Sequence, residues 1–78
     1  MLIDMILDRR AGDEYSAREL YDYCQEQGAI FGDLYWNVAR AMDEGEEEDV
    51  RGALCAYIVA SGYNETICEY VNNVNWLN

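Results

Sequence analysis

The stretch that decides the fold is DEGEEEDVRGALCAYIVA, residues 43–60. It opens with six carboxylates within seven residues, and from Ala53 onward it holds only small or apolar residues and one tyrosine. Acids favour the start of a helix, because they interact well with the positive end of the helix dipole. A helix that is apolar on nearly every side is typical of the middle of a bundle. We therefore predict a central helix over Glu46–Ser61 that the other elements surround.

Length and composition predict one small helical domain over residues 1–78. The chain is 51% hydrophobic, which is too much for intrinsic disorder. It contains no Pro and no alternating β-branched run, so a sheet is not expected. The prediction is all-α: a compact bundle of about five short helices with Gly-terminated turns. The glycines predicted to end helices in the left-handed conformation are Gly12, Gly28, Gly45 and Gly62.

The other four helices are predicted from apolar spacing and from capping residues. The first covers Leu2–Arg10, although a short apolar segment of this kind also permits a strand. The second begins at Ser16, which forms a capping box with Glu19. The third is capped by Asp33 and runs to about Glu44. The fifth follows an Asn64 cap and turns inward the residues Ile67, Tyr70, Val71 and Val74.

Trp36 and Arg40 are predicted to lie on the outer face of the third helix. The inner stripe of this helix comprises Phe31, Leu34, Tyr35, Val38 and Met42. Because successive residues turn by 100°, Trp36 falls about 140° from the centre of that stripe, on the side of Arg40, Asp43 and Glu44. Trp and Arg are typical anchors of protein interfaces. The alternative is that another helix of the bundle covers this face.

The charge balance excludes several classes of function. The chain has 5 Arg and 16 Asp plus Glu, with no Lys and no His, for a net charge of −11. It therefore lacks the usual general base and nitrogen metal ligand, and it would be repelled by nucleic acid and by anionic membranes. The thiols of Cys24, Cys55 and Cys68 have no C-x-x-C spacing, so we expect reduced thiols in a cytoplasmic protein rather than disulfides or a zinc site. We expect no enzyme, no cofactor and no membrane segment.

The acid run admits a functional and a structural interpretation. It can present negative charge to a partner, or it can serve as a helix start that also keeps the protein soluble. A calcium loop does not fit, because the twelfth position counted from Asp43 is Leu54 rather than Glu. Favourable i,i+4 pairs are predicted for Glu14/Arg18 and Glu47/Arg51.

Like charges recur at i,i+4 spacing in the pairs Asp4/Asp8, Asp22/Glu26, Glu44/Glu48 and Glu65/Glu69. Together these pairs are expected to cost roughly 1–2 kcal/mol within helices. Negative potential kept at such a cost indicates a function for the charge. The alternative is an acidic bias of the whole proteome, as in a salt-adapted organism.

In size, acidity and lack of catalytic residues the chain resembles the DNA-mimicking antagonists of host defence made by phages and mobile elements, such as anti-CRISPR and anti-restriction proteins. The resemblance is one of overall composition. It implies a basic nucleic-acid-binding partner, such as a CRISPR effector or a restriction enzyme, inhibited at its DNA-binding groove. The residues predicted to bind this partner are Asp43, Glu44, Glu46, Glu47, Glu48, Asp49, Trp36 and Arg40.

Two further interpretations concern the helices themselves. Three successive helices with tight turns suggest a helix-turn-helix, but the net charge argues against DNA binding. The remaining alternative is a small helical adaptor that binds a partner helix, or a second copy of itself, through an exposed apolar patch containing Trp36 or Trp76.

Overall fold

A computed structural model of the chain describes residues 2–10 and 17–77, except for the side chains of residues 8–10. Within these ranges five α-helices follow one another and no strand occurs: α1 Leu2–Arg10, α2 Ala17–Phe31, α3 Asp33–Glu44, α4 Glu47–Ala60 and α5 Thr66–Val71. The predicted all-α bundle is thus confirmed, and the first segment is a helix rather than a strand. The predicted Ser16 cap and Gly12 turn, as well as Glu14, lie outside the described residues.

All five helices contribute to one apolar core. Its buried members are Leu2, Ile3, Ile6, Leu20, Cys24, Val38, Ala39, Val50, Leu54, Tyr57, Ile58, Ile67, Val71 and Trp76. Along the chain each helix packs mainly against its neighbours in sequence: α1 on α2, α2 on α3, α3 on α4 and α4 on α5. Aromatic rings connect α2, α3 and α4. The ring centroid of Tyr35 in α3 lies 6.4 Å from that of Tyr23 in α2 and 5.3 Å from that of Tyr57 in α4.

The second helix does not end at Gly28, so that prediction is wrong. Gly28 is buried inside α2, and a Cβ placed there would lie 3.0 Å from the Trp36 ring. The glycine therefore permits α3 to approach closely rather than ending a helix. The helix continues to Phe31, and Gly32 ends it with a φ of 95°, a conformation that favours glycine.

Two predictions at the start of α3 are also wrong. Phe31 does not belong to the inner stripe of this helix, because it is the last residue of α2 and is 69% exposed. Asp33 is the first residue of α3 rather than its cap, and the cap position is held by Gly32 without a capping side chain. The other stripe residues face inward: Val38 is buried, and Leu34, Tyr35 and Met42 pack partly buried against the core.

The fourth helix is not surrounded by the other four, contrary to the prediction. Its inner face is buried through Val50, Leu54, Tyr57 and Ile58, whereas Val59 is 51% exposed. Gly52, Ala56 and Ala60 are exposed as well. The outer face of α4 consists largely of small residues, so it leaves little apolar area in water and needs no covering helix.

The ends of α4 show how the predicted glycine turns are realised. Gly62 has a φ of 78°, and Tyr63 N–H donates to Ile58 C=O at 3.0 Å, which is the Schellman ending expected of a C-terminal glycine. Gly45, at the other end, has a φ of −100°, so the left-handed prediction is wrong there. A Cβ on Gly45 would lie 2.8 Å from the Asp49 carboxylate, so this glycine serves close packing.

The C-terminal segment is docked on the bundle. The cap position of α5 is held by Glu65 rather than by the predicted Asn64. Asn64 still supports the start of the helix, because its Oδ1 accepts the Thr66 N–H at 3.0 Å. Ile67 and Val71 are buried, and the predicted inward residues Tyr70 and Val74 are half-buried. Beyond α5, Trp76 is fully buried, and its Nε1–H donates to Val71 C=O at 2.9 Å.

Candidate functional site

The acid run of residues 43–49 lies at the turn between α3 and α4, and we call it the acidic turn. Asp43 and Glu44 end α3, Gly45 and Glu46 connect the helices, and Glu47, Glu48 and Asp49 form the first turn of α4. The Gly45 N–H donates to Ala41 C=O at 2.9 Å, which closes the end of α3. The six carboxylates are therefore gathered at one edge of the bundle instead of following a single helix.

Asp49 has a structural role within the acidic turn. Its Oδ2 accepts the backbone N–H of Glu46 at 2.7 Å, and this N–H would otherwise lack an intrahelical partner. The contact is one half of a capping box and fixes the start of α4. Gly45 makes room for it, because any side chain there would collide with Asp49.

Glu47 also has a structural role, which the sequence did not reveal. Its two carboxylate oxygens accept the backbone N–H groups of Trp76 and Leu77, at 2.8 and 2.7 Å. Arg51, one turn further along α4, donates from Nε and Nη2 to Val74 C=O at 3.1 and 3.0 Å. The predicted Glu47/Arg51 pair is therefore wrong, since both side chains hold the C-terminal segment. Glu47 is half-buried and faces that segment rather than a partner.

The remaining four acids of the turn are exposed, namely Asp43, Glu44, Glu46 and Glu48. Glu48 lies in the first turn of α4, where the helix dipole favours a negative charge. Asp43 and Glu44 lie in the last turn of α3, where the helix dipole disfavours a negative charge. This last turn contains no basic residue. Helix capping accordingly accounts for the acids of α4 but not for those of α3.

Trp36 and Arg40 lie on the same outer face of α3 as Asp43 and Glu44. Arg40 is exposed, whereas Trp36 is 38% exposed and rests one side of its ring on Gly28 of α2. Both interpretations of this face therefore hold in part: α2 covers one side of the indole, and the rest remains in solvent. The sequence correctly placed these side chains together because they recur at helical spacing.

Two shallow depressions border this face of α3. One of about 180 Å³ is lined by Tyr21, Trp36, Ala39, Arg40, Asp43 and Glu44. The other, of about 350 Å³, is lined by Asn37, Arg40, Ala41, Glu44, Gly45 and Asp49. Arg40 and Glu44 belong to both, so five of the eight predicted residues meet around one stretch of α3. Glu46 and Glu48 lie exposed at the adjacent start of α4, and Glu47 faces the C-terminal segment.

The structure weakens the argument from like-charge pairs. Glu44 and Glu48 belong to different helices, so the i,i+4 geometry does not apply to them. Asp22 is paired with Arg18, whose Nε lies 3.1 Å from Oδ1, which relieves its repulsion with Glu26. Glu65 precedes α5, and Glu69 lies in the first turn of that helix, where a negative charge is favourable. The side chain of Asp8 lies outside the described residues. The exposed acids at the end of α3 therefore carry more weight than these pairs.

An exposed apolar pair at the end of α2 was missed by the sequence analysis. Ile30 is 67% and Phe31 is 69% exposed, and the Phe31 ring lies 6.3 Å from the Tyr35 ring between centroids. The stretch Gly28-Ala-Ile-Phe-Gly32 contains two glycines that can end a helix. Only the packing of Trp36 on Gly28 decides which of them does so, and this in turn leaves the apolar pair outside the core.

Titration of the nucleophilic side chains is suppressed by their surroundings. Burial raises the pKa of the Cys24 thiol to about 12. The pKa of Cys55 is raised to about 12 as well, by burial and by the neighbouring Cys68 thiol. Burial and Tyr35 raise the pKa of Tyr57, and burial is also the main reason that the pKa of Tyr23 is raised. These groups are therefore neutral near pH 7, and only their small deprotonated fraction is nucleophilic.

In residues 2–10 and 17–77, no group of three or more Cys, Asp or Glu side chains is arranged to hold a metal ion. None of the described helices combines the length and the apolar character that a membrane span requires.

Comparison with known proteins returns no relative. No family model matches the chain, and neither a curated protein nor a solved structure matches it. No residue role can therefore be transferred from another protein, and a functional proposal must rest on the placement of the residues described above.

Proposed function

We propose that this chain is a non-enzymatic inhibitor that binds a basic nucleic-acid-binding protein and occupies the surface on which that protein holds DNA. The binding surface comprises the exposed carboxylates of the acidic turn together with Trp36 and Arg40. A partner of this kind is a CRISPR effector or a restriction enzyme, as in the anti-defence proteins that the chain resembles in composition. Binding is expected to take place in the cytoplasm, where such partners act.

The observation that carries the proposal is the position of Asp43 and Glu44. They are exposed and lie in the last turn of α3, without a basic neighbour in that turn. Each acid at the end of a helix costs on the order of 0.3–1 kcal/mol. A Lys or Arg at these positions would interact favourably with the helix dipole, so the dipole does not explain the acids. Together with Glu46 and Glu48, they form a concentrated negative edge.

Trp36 and Arg40 add a non-electrostatic contribution to this surface. Charge across an interface chiefly increases the rate of association, whereas buried aromatic and Arg side chains account for much of the binding energy. The depression between Trp36 and Asp43 allows a side chain of the partner to contact the indole and a carboxylate together. A long Lys or Arg of the partner has both the apolar stem and the charge that this arrangement favours.

The experiment is affinity capture from a bacterial lysate with tagged protein, in which duplex DNA is added as a competitor. The test variant neutralises the exposed acids of the acidic turn, as Asp43→Asn, Glu44→Gln, Glu46→Gln and Glu48→Gln. We expect the wild type to retain nucleic-acid-binding proteins that duplex DNA releases, and the variant to retain few of them. Retention should fall steeply between about 50 and 200 mM salt, because exposed charges are screened over that range.

The matched control removes the same amount of charge elsewhere on the surface, as Glu26→Gln, Asp33→Asn, Glu65→Gln and Glu69→Gln, all of which are exposed. This control should retain the same proteins as the wild type. Equal loss in both variants would mean that only net charge matters, which contradicts a defined binding surface. Capture that neither DNA nor salt reduces would contradict DNA mimicry.

The second candidate function is an adaptor module that binds through exposed apolar side chains. It is favoured by Ile30 and Phe31, which leave most of their surface in water. Trp76 does not belong to such a surface, because it is fully buried. Light scattering at high salt, where charge repulsion is screened, should reveal self-association that the double variant Ile30→Ser, Phe31→Ser abolishes. A monomer at all salt concentrations would argue against self-association through this pair.

A further inference from the structure

Two of the three cysteines face each other across the interface between α4 and α5. The Cys55 Sγ lies 3.9 Å from the backbone oxygen of Cys68, and the Cys68 Sγ lies 4.0 Å from the backbone oxygen of Cys55. Each sulfur therefore reaches the main chain of the other residue, so the two side chains lie against each other. This contact could not be predicted from the sequence, because thirteen positions separate the two residues and no C-x-x-C motif is present.

Both residues are also partly exposed to solvent. Cys55 and Cys68 are half-buried, whereas Cys24 is fully buried in the core. The Cys55 Sγ also lies 4.0 Å from the amide oxygen of Asn72, an exposed residue just beyond α5. An adjacent and accessible pair of free thiols is the arrangement that thiol–disulfide exchange requires. The third cysteine provides an internal control that lacks both properties.

We propose that Cys55 and Cys68 form a reversible dithiol–disulfide site that reacts with low-molecular-weight disulfides. One protein thiol, as its thiolate, attacks the S–S bond of the small disulfide, which forms a mixed disulfide and releases one small thiol. The second protein thiolate then attacks the protein sulfur of the mixed disulfide and releases the second small thiol. The two protons lost by the cysteines end on the two released thiols. The protein pair is oxidised, and the small disulfide is reduced.

The oxidised form would tie the shortest helix to the bundle. Helix α5 spans only Thr66–Val71 and packs against α4. A Cys55–Cys68 disulfide would close a short loop that contains the turn between these helices. Such a cross-link reduces the conformational freedom of the unfolded chain. Small domains commonly depend on cross-links of this kind, because their hydrophobic cores are small. The site is independent of the acidic turn and of the function proposed for it.

The test uses the full-length reduced protein and bis(2-hydroxyethyl) disulfide, a neutral reagent that the negative protein does not repel. Mildly alkaline buffer is needed, because burial and the Cys68 thiol raise the pKa of Cys55. After an acid quench, intact mass should show the loss of two hydrogen atoms and no retained reagent. Cleavage after Glu65 separates the two cysteines in sequence, so an unreduced digest should contain their peptides joined.

Three variants complete the test. Cys24→Ser should react as the wild type does, whereas Cys55→Ser and Cys68→Ser should each retain the reagent as a mixed disulfide on the remaining partner. The oxidised wild type should melt higher than the reduced protein by on the order of 10 °C. Even if a variant fails to fold, the mass of the wild type shows whether the Cys55–Cys68 disulfide forms. Stable mixed disulfides on the wild type, disulfide-linked dimers or an unchanged melting temperature would overturn the proposal.

Discussion

Glu47 offers the sharpest test of how the acidic turn is divided between folding and binding. It lies beside Glu48 in the first turn of α4, and both residues carry the same charge. Glu47 accepts two backbone N–H groups of the C-terminal segment, at 2.8 and 2.7 Å, whereas Glu48 is exposed. The perturbation is therefore a matched pair, Glu47→Gln against Glu48→Gln. Each variant removes one negative charge and preserves the shape of the side chain.

The structure sets the expected magnitudes. A hydrogen bond to a charged group contributes about 1.5–3 kcal/mol. In a glutamine one of the two accepting oxygens is replaced by an NH2 group, which cannot accept the backbone N–H that it faces. We therefore expect Glu47→Gln to lower the free energy of unfolding by about 2–3 kcal/mol, including the lost dipole interaction. Glu48→Gln loses only that interaction, about 0.3–1 kcal/mol. A domain of 78 residues has a total stability of roughly 4–12 kcal/mol, so the first loss is large.

The assay is urea denaturation monitored by far-UV circular dichroism and by tryptophan emission. The measurements are made in a Trp36→Phe background, in which the buried Trp76 is the only indole. Release of the C-terminal segment would move Trp76 into water and shift its emission to longer wavelength before the helices unfold. We expect this early shift in Glu47→Gln and not in Glu48→Gln.

Equal destabilisation by the two variants, within about 0.5 kcal/mol, would refute the reasoning, because it would show that the carboxylate of Glu47 acts only through its charge at the helix end. Unchanged Trp76 emission in Glu47→Gln would refute the anchoring of the segment even if stability fell. Supporting results would exclude Glu47 from the binding surface. Charge reversal at Glu47 would then test folding rather than binding.

Three further substitutions test individual positions within the helices. Gly52→Ala should stabilise the protein by about 0.5–1 kcal/mol in urea denaturation, since Gly52 is exposed within α4 and an added Cβ meets no atom within 4 Å. Gly28→Ala should do the opposite, by displacing the Trp36 ring that lies 3.0 Å from the new Cβ; equal effects of the two changes would contradict this packing. Cys24→Ala should flatten the loss of stability at alkaline pH. Burial raises the pKa of Cys24 from 9.0 to about 12. The neutral thiol therefore stabilises the folded state below about pH 9. This contribution, at most about 4 kcal/mol, is lost as the pH rises towards 12. Identical slopes of stability against pH in wild type and variant would show that Cys24 does not contribute.

Two carboxylates of the acidic turn have structural roles, so fewer of its carboxylates can bind a partner. Asp49 fixes the start of α4, and Glu47 holds the C-terminal segment. The exposed acids that remain are concentrated at one edge, beside Trp36 and Arg40. A binding surface that includes Trp36 is a narrower hypothesis than net charge alone, because it predicts that charge removed elsewhere has little effect.

Features that depend on local spacing could be predicted from the sequence. The end of α3 agrees with the prediction and its start lies one residue earlier, and the bounds of α4 differ by one residue at each end, because the apolar period and the flanking acids are local signals. The ending of α4 at Gly62 and the outer position of Trp36 follow from the same kind of signal.

Other features depended on contacts between segments that are distant in sequence. Whether Gly28 or Gly32 ended the second helix depended on the Trp36 ring, and this choice exposed Ile30 and Phe31. The role of Glu47 depended on a segment about thirty positions away, which no helical period connects to it. The pairing of the two half-buried cysteines likewise required α5 to fold back on α4.

The sequence by itself determined that the chain is an acidic bundle of short helices, because helix starts, helix ends and apolar faces depend on residues three or four positions apart. Only the tertiary structure decided how the acidic turn is used. A carboxylate has the same charge wherever it stands, and its role depends on which N–H groups the folded chain brings to it. At Glu47 and Asp49 the fold supplies those groups, and at Asp43 and Glu44 it leaves the charge exposed. Those exposed acids are the basis of the proposed function.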